Sequence, residues 1–176
     1  MTYFIIGLGN PGEEYADSRH NTGRMAVSYF AEASQDKKFK IIESTEFMNH
    51  SGRAVAKAMA GKTKFENLIV VYDDIDLSLR TIKISYNKSS GGHRGLESII
   101  KALKTQEFIR IRIGISSATP SGKIKKPKGE DAVLKFILGK FKPTEIVVLK
   151  KTFKKASEAI EMILEEGKDK AMNTFN

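Results

Sequence analysis

The side chains best suited to chemistry are an Asn, a His and an Asp placed beside glycine-bearing turns. Gly7-Leu8-Gly9-Asn10-Pro11-Gly12 follows an apolar run, and after a short polar stretch containing Tyr15 comes Ser18-Arg19-His20-Asn21. Asp73 follows a second apolar run, Leu68-Ile69-Val70-Val71-Tyr72. An imidazole oriented by a carboxylate takes a proton from a nucleophile and is stabilised as imidazolium while it holds it. The sequence has no G-x-S-x-G and no cysteine, so the nucleophile this pair would activate is water. Taken singly, His20 is as well explained as a surface histidine, and Asp73 as a turn former in an Asp-rich run. Only the pair points to a site.

The glycine spacing also fits G-x-G-x-x-G, the turn that cradles a dinucleotide pyrophosphate at a helix N-terminus. Pro11 removes one backbone N–H from that cradle, and Glu13 and Glu14 set two negative charges beside it. A helix-like apolar period begins only after Asn21, and Glu43 is late for a ribose-binding acid. The dinucleotide reading is therefore the weaker one, and no cofactor and no metal are expected.

Further candidates lie along the chain. Phe47-Met48-Asn49 precedes Ser51-Gly52; it reads as core leading into a turn, or as an amide projecting into a pocket to hold a carbonyl. Lys83 and Arg112 lie on strands, either as a solvated sheet edge or as a phosphate-binding pair. His93 and Arg94 lie in the loop Ser89-Ser90-Gly91-Gly92-His93-Arg94-Gly95. In open α/β sheets, sites gather beyond strand ends, so the Asn10, Asp73 and His93 turns are candidates to converge on one pocket.

The elements that must position these residues follow from hydrophobic period. Tyr3 to Leu8 and Leu68 to Tyr72 read as central strands, the second ending in the acidic turn Asp73-Asp74-Ile75-Asp76. Phe39 to Ile42, Thr81 to Tyr86 and the period-two run Phe108 to Ile115 read as further strands, Arg110 and Arg112 sharing one face of the last. Helices are expected from Asn21 or Thr22 to Ser34, Ser51 to Ala60, Leu96 to Lys104, from a Thr144 cap to Gly167, and from Lys168 to Phe175. The segment 116–129, rich in Pro, Gly and Lys, has no apolar period and is expected to be a mobile loop. Strands alternating with helices predict an α/β fold, a three-layer α/β/α sandwich on a central twisted mixed β-sheet.

At 176 residues one domain, 1–176, is the expectation, with C-terminal helices over 144–176. A formal net charge of +9 favours a polyanionic partner. The lack of cysteine and of any signal-like or membrane-spanning run points to the cytoplasm and away from membranes.

In order along the chain, Gly7–Gly12, Tyr15, Arg19-His20-Asn21, Phe47–Gly52, Asp73–Leu77, Gly91-Gly92-His93, Arg110–Ile115 and Ala171-Met172-Asn173 resemble the motifs of bacterial-type peptidyl-tRNA hydrolases. The resemblance spans nearly the whole chain. It implies a phosphorylase/hydrolase-like sandwich and hydrolysis of the ester joining a peptide to the 3′ ribose of tRNA. By position it makes His20 the base, Asp73 its orienting carboxylate, and Asn10 the group that tells a blocked peptide from a free amino acid. It places Tyr15, Phe47 and Asn49 along the peptide and CCA-end site with Met48 beneath. It implies that His93 and Arg94 belong to the substrate loop, Lys83 and Arg112 to a clamp on the tRNA 5′ phosphate, and 116–129 to a lid. The implied partner is peptidyl-tRNA, met through its acceptor stem, CCA end and peptide, and the implied state is a monomer.

The sequence also departs from the family pattern. Arg94 replaces the Asn of Gly-Gly-His-Asn-Gly, Ser85 stands where a basic residue is common, and Leu79-Arg80 replaces a Pro-Gly turn. The interval from His20 to Asn49 is also short. A non-catalytic RNA-binding member of the same fold is the alternative, and Arg94 with the trimmed interval is its best support.

Overall fold

The computed structural model describes residues 1–34 and 38–176. Its strands are β1 (Tyr3–Gly7), β2 (Phe39–Ile41), β3 (Leu68–Ser78), β4 (Ile82–Tyr86), β5 (Ile109–Ala118) and β6 (Ile124–Lys125). The sheet order is β2-β1-β3-β5-β4, with β6 paired to the far end of β5. Pairings from β2 through β5 are parallel, whereas β4 and β6 run antiparallel to β5, so the sheet is mixed. The chain leaves β1 for β2 on one side and returns to β3 on the other. That reversal opens a crevice beyond the C-terminal ends of β1 and β3.

Period-two alternation distributes the strand side chains between two cores. Ile5, Ile69, Val71 and the β5 isoleucines 109, 111, 113 and 115 pack beneath helices α1 (Thr22–Ala33), α5 (Pro143–Glu166) and α6 (Lys168–Phe175). Ile6, Leu8, Leu68, Val70 and Tyr72 face the other way, against α2 (Ser51–Ala58) and α3 (Arg94–Leu103). Helix α1 lies so close to the sheet that a Cβ on Gly23 would stand 2.1 Å from the Val71 carbonyl oxygen, and one on Gly7 2.2 Å from the Gly23 oxygen. Any side chain at either position would push the helix, and the turn before it, away from β3.

Several boundaries differ from the sequence reading. Asp73 lies within a strand and not in a turn, because β3 continues to Ser78 beside β5, with a register shift between Asp74 and Ser78. The segment 116–129 is largely a hairpin: β5 runs to Ala118 and pairs through Ser117 and Ala118 with β6. Helix α4 (Glu130–Leu138) went unpredicted. Helix α5 begins at Pro143 with Lys142 as its cap residue, and the Glu145 carboxylate returns to the Lys142 N–H at 2.7 Å, so Thr144 is not the cap. The edge strand β4 is closed off by a side chain: Ile84 N–H donates to Asn176 Oδ1 at 2.7 Å, and Asn176 Nδ2 donates to the Ile84 carbonyl at 2.9 Å.

Candidate active site

The loop after β1 and the turn before α1 are laced together by amides. Asn21, expected as a helix cap, makes no cap bond. Its Oδ1 instead accepts from Asn10 N–H at 2.8 Å, and its Nδ2 donates to the Asn10 carbonyl at 2.9 Å. The Asn10 side chain is fixed in turn by the Met48 N–H, which donates to Oδ1 at 2.8 Å. A backbone N–H can only donate, so the Asn10 atom facing it is the oxygen and the amide nitrogen remains as a donor.

His20 stands in the 3₁₀ turn Arg19–Asn21, just ahead of α1. Its Nδ1 lies 3.0 and 2.9 Å from the two oxygens of Asp73. Asp73 also meets His93 Nε2 at 3.0 Å through Oδ1. His93 precedes α3, and its Nδ1 accepts from Leu96 N–H at 3.4 Å, so the proton of that ring belongs on Nε2, facing the carboxylate. By the same logic His20 carries its proton on Nδ1 and keeps the lone pair on Nε2, the nitrogen that a general base uses. The two imidazoles lie with centroids 4.9 Å apart, and His93 packs edge-on against Tyr72 at the same distance.

Burial alone pushes the Asp73 carboxyl up, since only 4% of the residue is exposed. The two histidines outweigh burial by charge and hydrogen bonding, and they hold the carboxyl well below the usual carboxylate range. Burial also pushes the Tyr72 phenol up to about 12. Asp73, His20 and His93 are the one group among the described residues able to offer three ligand atoms to a metal, all within 4.8 Å of one another. Each N···O separation in the group is already that of a hydrogen bond.

These groups line a cavity of about 740 Å³. Tyr15 and Phe47 form its lip, their rings edge to face at 6.4 Å, with Phe47 half exposed. Met48 is buried below, and Asn49 lines the wall from the turn Met48–His50. Arg94 begins α3 and reaches across to Glu130 at 3.1 Å, the first residue of α4. Arg112 lines the far end, its Nε bonded to Asp74 Oδ2 at 2.7 Å. Lys83 is outside the cavity wall; it is the cross-strand partner of Arg112, exposed on the same face of the β4–β5 ladder.

The cavity thus brings together Asn10, Tyr15, His20, Phe47, Met48, Asn49, Asp73, His93, Arg94 and Arg112, and leaves Lys83 beside it. Sequence reasoning missed His93 as a second partner of Asp73, because a shared carboxylate has no sequence signature. It also missed the apolar wall of Val133, Leu134, Ile137 and Leu138 on α4, whose helical spacing was there to be read. Arg110, read only as sharing a face with Arg112, is fully buried and donates from Nη1 to the Ser89 carbonyl at 3.0 Å, holding the loop that leads to His93.

Residues 4–176 match the family model described as peptidyl-tRNA hydrolase. Among curated relatives, the peptidyl-tRNA hydrolase of Caldicellulosiruptor saccharolyticus is 39% identical, covering all of this chain and 97% of its own. That of Thermotoga maritima is 38% identical, covering 98% of this chain and 96% of its own. Among solved structures, the peptidyl-tRNA hydrolase of Acinetobacter baumannii superposes with a TM-score of 0.82 at 26% identity, over 99% of this chain and 94% of that one. With the family model matched over nearly the whole chain and the curated relatives similar over their full length, the chain belongs to the peptidyl-tRNA hydrolase family.

Proposed function

We propose that this protein hydrolyses the ester between a peptide, or another N-blocked aminoacyl group, and the 3′ ribose of tRNA. Family membership supports the reaction, and one observation carries the reading of the site: His20 Nδ1 bonded to both oxygens of a buried Asp73. In this reading His20 Nε2 takes a proton from water as the water oxygen attacks the ester carbonyl. Asp73 stabilises the resulting imidazolium. Collapse of the tetrahedral intermediate breaks the bond to the ribose oxygen, and His20 returns the proton to that leaving oxygen, giving free tRNA and a peptide acid.

The Asn10 amide nitrogen, left as a donor by the Met48 contact, suits a carbonyl of the blocked amine. Asn49 offers a second amide, and Tyr15 and Phe47 a surface for the CCA end and peptide. Arg94 and His93 flank the scissile region. Arg112 and Lys83, adjacent across the ladder, suit the 5′ phosphate of the acceptor stem; replacing both should raise KM and flatten its salt dependence. The reading takes residues 1–176 as one cytoplasmic, monomeric hydrolase domain, with 116–129 as a lid and the helices of 144–176 as support. Among the described residues no helix is long and apolar enough to cross a membrane.

The test is single-turnover hydrolysis of N-acetyl-aminoacyl-tRNA against unblocked aminoacyl-tRNA. The blocked substrate should be cleaved and the unblocked one spared. His20→Ala should lower the rate by roughly 10²–10⁴-fold with tRNA affinity retained. Binding of tRNA without turnover by the native chain would favour the non-catalytic alternative.

A further inference from the structure

Arg19 is nearly buried, one residue before His20, and its side chain is spent on a different part of the molecule. Nη1 donates to the Lys140 carbonyl at 2.9 Å, and Nη2 meets Glu145 Oε2 at 3.1 Å. The guanidinium lies over the Phe136 ring at 4.6 Å and the Phe141 ring at 5.3 Å. The backbone joins the same region, with Arg19 N–H donating to the Gly139 carbonyl at 3.0 Å and Ser18 bridging Lys140. Glu145 Oε2 at the same time accepts from Lys142 N–H, so one carboxylate oxygen both caps α5 and receives Arg19. Taking a guanidinium out of water is costly, and an apolar side chain would fill the space without that cost. The fork does what an apolar side chain cannot: it ties the catalytic turn to the joint between α4 and α5.

The joint governs α4. None of its residues is fully buried, and its main packing partner is the Arg19–Asn21 turn. Yet α4 supplies the apolar wall of the cavity through Val133, Leu134, Ile137 and Leu138. Only Phe136 and Ile137 reach the edge of the core, and beyond that contact the helix is held at its C-terminal end. We infer that the Arg19–Glu145 pair is a positioning device that sets the α4 wall at a fixed distance from His20, so that the acyl chain of the substrate is held while the base acts on its ester. Arg19 acts through α4 and the turn, and touches no reacting atom. The assignment of the acyl chain to this wall rests on the proposed hydrolase reading; the placement of α4 by Arg19 does not.

The experiment uses the full chain with Arg19→Met, which keeps the stem and removes the fork, and Glu145→Gln, which keeps a cap acceptor and removes the charge. Amide hydrogen exchange reads α4 directly. Residues 130–138 should exchange faster by about tenfold or more in Arg19→Met, and by less in Glu145→Gln, with β1 and β3 unchanged. Peptidyl-tRNA carrying several apolar residues should lose kcat/KM by roughly 10–100-fold, N-acetyl-aminoacyl-tRNA much less, and affinity for deacylated tRNA should stay the same. The double variant should be no worse than Arg19→Met, since both changes break one contact.

Unchanged exchange in α4 would overturn the inference, whatever the activity. So would equal losses on the long and short acyl substrates. Failure of the native chain to cleave either substrate would instead overturn the hydrolase reading, and exchange would still decide the role of Arg19. If Arg19→Met does not fold, Glu145→Gln decides alone by the same two measures.

Discussion

Asp73 is the residue on which most of the site depends, since one buried carboxylate orients two histidines. Its carboxyl ionises below the ordinary range in the folded chain, so the folded state binds this proton less readily than the unfolded one. The stabilisation is therefore present above the unfolded value, near pH 4, and fades as pH falls toward the folded value. Asp73→Asn should show this as a difference: the gap in urea midpoint between native chain and variant should narrow from pH 7 to pH 3. A gap that stays constant would mean that the carboxylate is not stabilised by its neighbours. The same variant should lose turnover, because an amide cannot hold His20 in the required tautomer by accepting at both oxygens. At this scale the sequence reading reached His20, Asp73 and Asn10 through residue type beside strand ends. It did not reach the Asn10–Asn21 lacing or the second histidine on Asp73, since both are contacts between side chains and segments far apart in the chain.

The elements legible in advance were those with a strong period: the two central strands, α3, α5 and α6. Those misplaced had their period hidden. β3 continues through Asp73-Asp74 because its pairing with β5 overrides the turn preference of aspartate. The 116–129 segment forms a hairpin despite its Pro and Gly content, and Lys126 ties it to Asp76. The β3–β4 connection carries a visible conformational cost. Thr81 N–H donates to the Ser78 carbonyl at 3.1 Å, closing a four-residue turn whose third residue, Arg80, sits at φ 76°. Glycine is the residue suited to that position. Arg80→Gly should raise stability by about 0.5–1 kcal/mol, the left-handed strain relieved less the added freedom of the unfolded chain, as measured by denaturant midpoint. Leu79→Pro should not help, because the Leu79 N–H donates to the Ser116 carbonyl at 2.8 Å.

At the scale of the whole molecule, the sheet reversal gathers Asn10, His20, Asp73 and His93 at one end of the crevice, and the cations on β4 and β5 extend from it. A net charge of +9 keeps copies of the chain apart at low salt and draws a polyanion in. That repulsion weakens as salt rises, and then the sheet rim matters. β4 is an outer strand, and its Ile84 rung is already filled on both donor and acceptor sides by the Asn176 amide. The side chain thus stands in for one residue of a neighbouring strand, and it denies that rung to a strand from another copy. Asn176→Ala should leave turnover intact while exposing the rung. The variant should aggregate faster than the native chain on warming in high salt, as followed by light scattering, and equal aggregation of the two would show that the rim needs no such plug. The Asn176 side chain is thus placed as a solubility device, guarding this edge of the sheet against templated strand addition where charge alone would fail.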